Sequence, residues 1–274
     1  MFIGAHVSIS GGIFNAPKNA HDWGCEVMQI FTHSPQGGKT PELTKEITDQ
    51  FKAQETEYSI KNTYIHAPYY INFASGNNRI RYGSVAAIRE ELERGSLIGA
   101  KYVMTHLGTA KDLGEKEATA KTIEMLKKTL DGYVGSTKLL LENSAGAGEI
   151  IGDSLAELAE IIKAVGSEHI AGICLDTQHS FASGYDWRDF DTTLARIDSE
   201  IGLEKIKLIH ANDSQAELAS KKDRHEHIGQ GKIGLEAFKN ILTFAEKNNI
   251  DMILETEWPA VREDVTLLKS LRKK

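Results

Sequence analysis

Cysteine is scarce in this chain: two in 274 residues, Cys25 and Cys174. A single pair cannot build a disulfide framework, and Cys174 lies in an apolar run, Ile173-Cys174-Leu175, that reads as a small buried hydrophobe. A reducing, cytoplasmic setting is expected. No apolar run approaches the roughly 18 residues that a membrane span requires. The first residues, MFIGAHVSISGG, lack the basic stretch and apolar segment of a secretory signal. Linkers and low-complexity tracts are missing as well, so residues 1–274 read as one domain. An excess of positive charge is also absent: Lys+Arg 32 against Asp+Glu 39 gives −7. Charge alone therefore argues against a general nucleic-acid binder, an inference the motifs below reverse. What remains is an ordinary globular composition, 41% hydrophobic and 26% charged.

Eight short apolar, β-branched runs recur along the chain: Phe2–Val7, Val27–Thr32, Thr63–Ala67, Tyr102–His106, Lys138–Glu142, Gly172–Asp176, Ile206–Ala211 and Met252–Glu255. Their starts lie 25 to 46 residues apart, the length of one strand–helix unit. Near-continuous apolarity is what parallel strands covered on both faces require. Helical periodicity fills the gaps, at Glu42–Ile60, Ile80–Ile98, Glu115–Tyr133, Ser154–Val165, Leu235–Lys247 and Val261–Leu271. Asp153-Ser154 and Asp186 read as N-caps. The pattern predicts an α/β fold, a single (β/α)₈ TIM barrel with its active site at the C-terminal rim of the strands. An open doubly wound sheet is the alternative. The tail Lys269–Lys274 reads as a frayed basic end.

Polar residues gather at the strand ends: His66, His106, Glu142, Asp176 with His179, His210 and Glu255, joined by Asp223 and His225 from the loop after the seventh strand. Four carboxylates aimed at one rim would repel one another unless cations lay between them. Imidazole with carboxylate suits Zn²⁺, Mn²⁺ or Fe²⁺ better than Mg²⁺ or Ca²⁺. Nine ligands are too many for one tetrahedral ion and suit two or three. A single strand-end histidine is more often structural; the conjunction across six successive strands carries the inference. His21, His33 and His169 are expected to face solvent. His6 is expected beside the ligands rather than among them, and His227 competes with His225 as a ligand. The glycine-rich stretches Ser144–Gly148 and Gly229–Gly234 read either as loops whose amides approach an anion or as flexible hairpins.

These motifs resemble endonuclease IV, the zinc-dependent apurinic/apyrimidinic (AP) endonuclease family with a TIM-barrel fold. The likeness runs almost end to end. It is carried by Gly4-Ala5-His6-Val7-Ser8, His66-Ala67-Pro68-Tyr69, Leu141-Glu142-Asn143, Cys174-Leu175-Asp176-Thr177, Phe181–Asp186, His210-Ala211-Asn212-Asp213, Asp223-Arg224-His225, Ile228–Gly231 and Leu254-Glu255-Thr256. The resemblance implies three Zn²⁺ per chain, with Mn²⁺ or Fe²⁺ as substitutes. His66 and His106 would hold the first, with Glu142 bridging to the second. Asp176, His210 and Glu255 would complete the second. His179, Asp223 and His225 would hold the third, which favours His225 over His227. It further implies base excision repair on double-stranded DNA. The backbone is hydrolysed 5′ to an abasic site, leaving a 3′-hydroxyl and a 5′-deoxyribose phosphate, and blocked 3′ ends are trimmed. Glu142 is the expected catalytic residue and a monomer the expected state. Three divalent ions would add six positive charges to the −7 of the bare chain.

The chain departs from the family pattern in places. Loop Thr32–Gly38 lacks the common arginine and following aromatic, and Gln36 in that place counts against intercalation. Tyr69 is retained, while Tyr70 replaces a frequent aliphatic wedge and could stack on a base. Leu107 and Gln178 replace a common proline and cysteine without touching a ligand. Tyr69, Tyr70, Gln36 and Arg224 are the candidate DNA contacts. Arg79, Arg81, Lys221, Lys222 and Lys232 extend a basic rim. The rival readings are a metal-dependent sugar isomerase or epimerase on a similar barrel, and a non-catalytic DNA-damage binder.

Overall fold

Each of the eight apolar runs forms a strand: β1 (Ile3–His6), β2 (Val27–Ile30), β3 (Thr63–His66), β4 (Tyr102–Thr105), β5 (Lys138–Glu142), β6 (Ile170–Asp176), β7 (Ile206–His210) and β10 (Asp251–Leu254). This computed structural model describes residues 1–38 and 40–272; Lys39, Lys273 and Lys274 lie outside it. The eight strands pair in parallel into a closed barrel, order β1-β10-β7-β6-β5-β4-β3-β2. Closure excludes the open doubly wound sheet. The remaining two strands, β8 (Asp213–Ser214) and β9 (His225–Glu226), form a short antiparallel pair in the β7–β10 connection.

Helices follow the strands: α1 (Ala16–Asp22), α2 (Lys45–Glu57), α3 (Asn78–Ile98), α4 (Glu115–Leu130), α5 (Leu155–Val165), α6 (Thr177–Ala182), α7 (Phe190–Glu200), α8 (Leu235–Asn248) and α9 (Val261–Leu271). Ser154 caps α5 by accepting from the Glu157 amide. The start of α2 falls three residues later than periodicity suggests, because Thr44 takes the cap position and accepts from the Ile47 amide. Asp186 is not a cap. Its carboxylate instead binds the Arg188 amide at 3.1 Å and the guanidinium at 2.7 and 2.9 Å, in a turn ahead of α7. The tail is not frayed as far as it is described: Arg272 grips Glu26 at 2.8 and 2.9 Å, and Lys269 donates to the Gly24 carbonyl. Among the described residues no helix is long and apolar enough to cross a membrane.

The core has two parts. One large apolar layer lies between barrel and helices. The other plugs the barrel itself: Val27, Tyr64, Met104, Leu140, Cys174, Leu208 and Ile253, one from each strand except β1. On β1 the equivalent position is Gly4, where a Cβ would meet the Val27 carbonyl oxygen at 1.8 Å, so only glycine lets the strands approach. Both cysteines are buried, as small apolar residues.

On α2, burial pushes the Glu55 carboxyl up to about 7 against the opposing hydrogen bond from Thr63. Between its ordinary carboxyl range and that value, the folded chain holds a proton that the unfolded chain has released. The group's contribution is therefore lost as pH rises towards 7. Glu55→Gln should raise stability over wild type at pH 8 more than at pH 5. Urea denaturation at the two pH values measures this, and an equal shift at both would contradict it.

Candidate metal centre

Residues two apart on a strand share a face. The residue two places beyond each plug residue therefore also points into the barrel, one layer nearer the C-terminal rim. Those residues are Gln29, His66, His106, Glu142, Asp176, His210 and Glu255, with His6 following Gly4. An apolar floor thus carries a polar layer directly above it, and Glu142, Asp176 and His210 are each 0% exposed.

Three groups of side chains come within ligand-sharing range. One is His66, His106 and Glu142; the second is Glu142, Asp176, His210 and Glu255; the third is Asp176, His179 and His225. Asp223 joins the last group from the rim, with Oδ2 3.4 Å from His179 Nε2 and Oδ1 3.5 Å from His225 Nε2. It keeps 57% of its side chain exposed. Asp176 stands between two groups, its Oδ2 being 3.8 Å from His225 Nε2 and 3.9 Å from His210 Nδ1. Glu142 likewise spans two: Oε1 lies 2.9 Å from His210 Nδ1, and Oε2 lies 3.3 Å from His66 Nε2 and 3.6 Å from His106 Nε2.

Glu142 Oε2 is buried and has no hydrogen-bond partner, and neither has His106 Nδ1. An orphaned anionic oxygen facing two imidazole nitrogens is a costly arrangement for the bare chain. It is the arrangement that a shared cation satisfies, and the mixed imidazole–carboxylate donors fit Zn²⁺, Mn²⁺ or Fe²⁺.

The ring orientations are held from behind. His66 Nδ1 donates to the Ala67 carbonyl at 2.6 Å, and His179 Nδ1 to the Asn143 carbonyl at 3.0 Å, so each turns Nε2 to the cluster. His210 is reversed: Nδ1 faces the carboxylates, while Nε2 sits 2.7 Å from Gln29 Oε1. The Gln29 amide also donates to Glu255 Oε1 at 2.6 Å and touches His6 Nδ1 at 3.0 Å. Asn212 donates to Asp176 Oδ2 at 2.7 Å, and the other Asp176 oxygen caps α6 through the His179 amide at 2.8 Å. That cap fixes the three-residue spacing of Asp176 and His179 across the strand–helix junction. Sequence reading missed Gln29, Asn143 and Asn212. Counting two residues beyond Val27, the plug position on β2, would have found Gln29.

The electrostatics follow from this crowding. Burial opposes charge throughout, yet His106 and His210 hold the Glu142 carboxyl well below its usual range, and His210 does the same for Glu255. Burial disfavours the His179 cation, but Asp176, Asp223 and Glu142 outweigh it and raise His179 to about 10. Asp223 falls to about 2, burial being outweighed by His179 and His225. His106 is lowered, chiefly by burial. The anions keep their charge and demand positive charge around them.

Other predicted positions resolve as follows. His227 turns away from the cluster and pairs with Asp264 at 2.7 Å. His6 is a neighbour of Gln29 and of Glu255, 3.9 Å from the latter. His33 does not face solvent: it is buried and lies 3.2 Å from Glu91, whose carboxylate also accepts from Thr32. His169 is half-buried with its ring on Tyr133; His21 is exposed. The glycine stretch 229–234 does approach an anion, but the anion is the chain's own Asp213. Its carboxylate accepts from the amides of Gly229, Gly231, Ile233 and Gly234, and a Cβ on Gly231 would strike it at 2.5 Å. Tyr69 is 67% exposed and Tyr70 44%. Both line a cavity of about 420 Å³ beside the metal-lined one, and Tyr69 lines both. Gln36 and Arg224 are exposed on flanking loops. Lys221 is drawn to Asp153, and Lys232 to Glu217.

Comparison with known proteins places this geometry. The family model for the xylose isomerase-like TIM barrel matches residues 17–272. A protein of Carboxydothermus hydrogenoformans named probable endonuclease 4 is 38% identical over 275 residues, covering 99% of this chain and 96% of its own length. Its namesake in Halothermothrix orenii is 36% identical and covers 100% of both chains. Among solved structures, endonuclease IV from Thermus thermophilus superposes with a TM-score of 0.88 at 31% identity, over 99% of this chain and 98% of that one. A D-tagatose 3-epimerase-like protein shares the fold, with a TM-score of 0.77 at 21% identity.

Gln29→Leu should leave the fold intact but release His210 and Glu255 from their common partner. Loss of such an outer contact typically weakens metal binding by about 10- to 100-fold. Competition with a chromophoric chelator measures it; unchanged affinity would show that Gln29 does not position these residues.

Proposed function

The chain belongs to the endonuclease IV family of xylose isomerase-like TIM barrels, and from that membership we propose how its own residues perform the reaction. It is an AP endonuclease, a DNA-repair hydrolase. In this reading it cuts the backbone 5′ to an abasic site, leaving a 3′-hydroxyl and a 5′-deoxyribose phosphate, and clears blocked 3′ ends. Three divalent ions, Zn²⁺ first among them, would be held by His66 and His106, by Asp176, His210 and Glu255, and by His179, Asp223 and His225. Glu142 is shared between the first two sets. The observation that carries this reading is the buried, unpartnered Oε2 of Glu142 between two imidazoles, with its other oxygen on His210.

Bound divalent ions would supply Lewis acidity toward the phosphodiester and a nucleophile at neutral pH. The residues contribute the rest. Glu142, held anionic by His106 and His210, is placed to orient water and take its proton at Oε2. Glu142, Asp176, Asp223 and Glu255 would repel a phosphate, a repulsion that bound divalent ions would offset. Tyr69 and Tyr70 offer exposed rings at the edge of the cavity for the nucleotide beside the lesion. Gln36 and Arg224 are exposed candidates for further DNA contacts. The sugar-epimerase reading rests on fold alone. The group made by His179, Asp223 and His225, beyond what a one-ion site needs, speaks for phosphodiester chemistry.

Glu142→Gln should fold normally by circular dichroism and lower incision of an abasic duplex by about 10²- to 10⁴-fold; substantial residual incision would remove Glu142 from its role. His225→Ala should lose one metal equivalent per chain by elemental analysis, whereas His227→Ala keeps the full complement. The reverse pattern, or one ion per wild-type chain, would defeat the ligand assignment.

A further inference from the structure

On the β1, β2 and β10 side of the barrel mouth lies a groove of about 690 Å³ that the metal chemistry does not use. Its walls are mostly apolar and include Trp23, Phe31, Pro35 and Trp258. Trp258 is 57% exposed. Its ring stacks on Trp23, with centroids 4.7 Å apart and planes inclined by 27°. The Arg262 guanidinium lies over the Trp258 ring, 5.1 Å from its centroid. The groove adjoins the metal-lined cavity, and His6 and Phe31 line both. Tyr69 and Tyr70 belong to a different opening, lined by neither tryptophan. Phe31 separates the two sides, with its ring edge-on to Tyr69 at 5.3 Å.

A large exposed aromatic surface beside a reaction centre asks for a flat apolar group of the substrate. A paired base inside a duplex has both faces covered and cannot reach such a surface. An abasic duplex, however, always carries one base without a partner, the one opposite the lesion. Resting on the abasic-DNA reading above, we propose that the Trp23–Trp258 groove is a stacking subsite for that unpaired nucleobase. The flat base would lie along the indole wall, with Arg262 near the adjoining phosphate. Base–aromatic stacking is tolerant of base identity, so the subsite would accept any of the four.

The test uses metal-loaded enzyme and two abasic duplexes labelled on the lesion strand. One carries a normal base opposite the lesion, the other a base-free propyl spacer. For wild type, KM should be about tenfold higher on the spacer duplex, in line with the loss of one stacked base, with kcat unchanged. Trp258→Ala should raise KM about tenfold on the normal duplex and abolish the difference between the two. Trp258→Phe should restore most of it, which a merely structural role would not explain. Equal KM values for wild type on both duplexes, or a difference that survives in Trp258→Ala, would overturn the proposal. So would a Trp258-dependent response to deleting a base that flanks the lesion on the incised strand, which would assign the groove to the other strand. Failure of wild type to incise either duplex would instead bring down the abasic-DNA reading, and this proposal with it.

Discussion

The structure turns on one electrostatic conflict: carboxylates and imidazoles are packed into the mouth of a closed barrel, above an apolar floor that admits no solvent from below. Glu142 and Asp176 are fully buried, with Glu255 and Asp223 beside them. Desolvation penalises each charge, yet His106 and His210 hold the Glu142 carboxyl low, and Asp176, Asp223 and Glu142 raise His179 against burial. Only bound cations resolve this without consuming protons. In the proposed reading, the net acidity of the chain is in part a metal site, and bound ions would supply the positive face that a phosphate backbone needs. Two of the six candidate basic residues, Lys221 and Lys232, are already paired with neighbouring carboxylates.

Geometry at the centre is enforced from outside it. Gln29 ties His210 to Glu255, Asn143 fixes His179, and Asn212 fixes Asp176. These contacts choose which ring nitrogen of each histidine faces inward, a choice invisible in the residue type itself. His210 presents Nδ1 and His179 presents Nε2 for no reason other than their partners.

The loops around the rim are anchored by buried carboxylates of their own. Asp213 gathers four amides of the 229–234 stretch. Asp264 accepts from His227, Thr256 and the Ile228 amide, tying α9 to the segment that carries His225. Glu91 binds Thr32 and His33, while Arg94 holds the Thr32 carbonyl and the Pro41 carbonyl, pinning the loop after β2. A preformed rim costs less ordering when DNA binds than a mobile one would.

The barrel is legible in the order of residues. Eight apolar runs at near-regular spacing leave few ways to pair, and strand periodicity turns the rim residues inward, so the six candidate ligands at strand ends were legible from type and position; His179 and Asp223 lie off the barrel strands, and only the family resemblance favoured His225 over His227. Helix limits were legible where a cap was strong, as at Ser154, and misread where a side chain had a closer partner, as with Asp186 and Arg188. Contacts between residues distant along the chain settled the rest. They gave His227 to Asp264, 37 residues away, and turned His225 to the centre. They buried His33 against a helix more than 50 residues on, and stacked Trp23 on Trp258 across nearly the whole chain. Periodicity is a property of neighbours along the chain and survives in the sequence. The choice of partner among chemically equivalent groups is made only when the barrel closes.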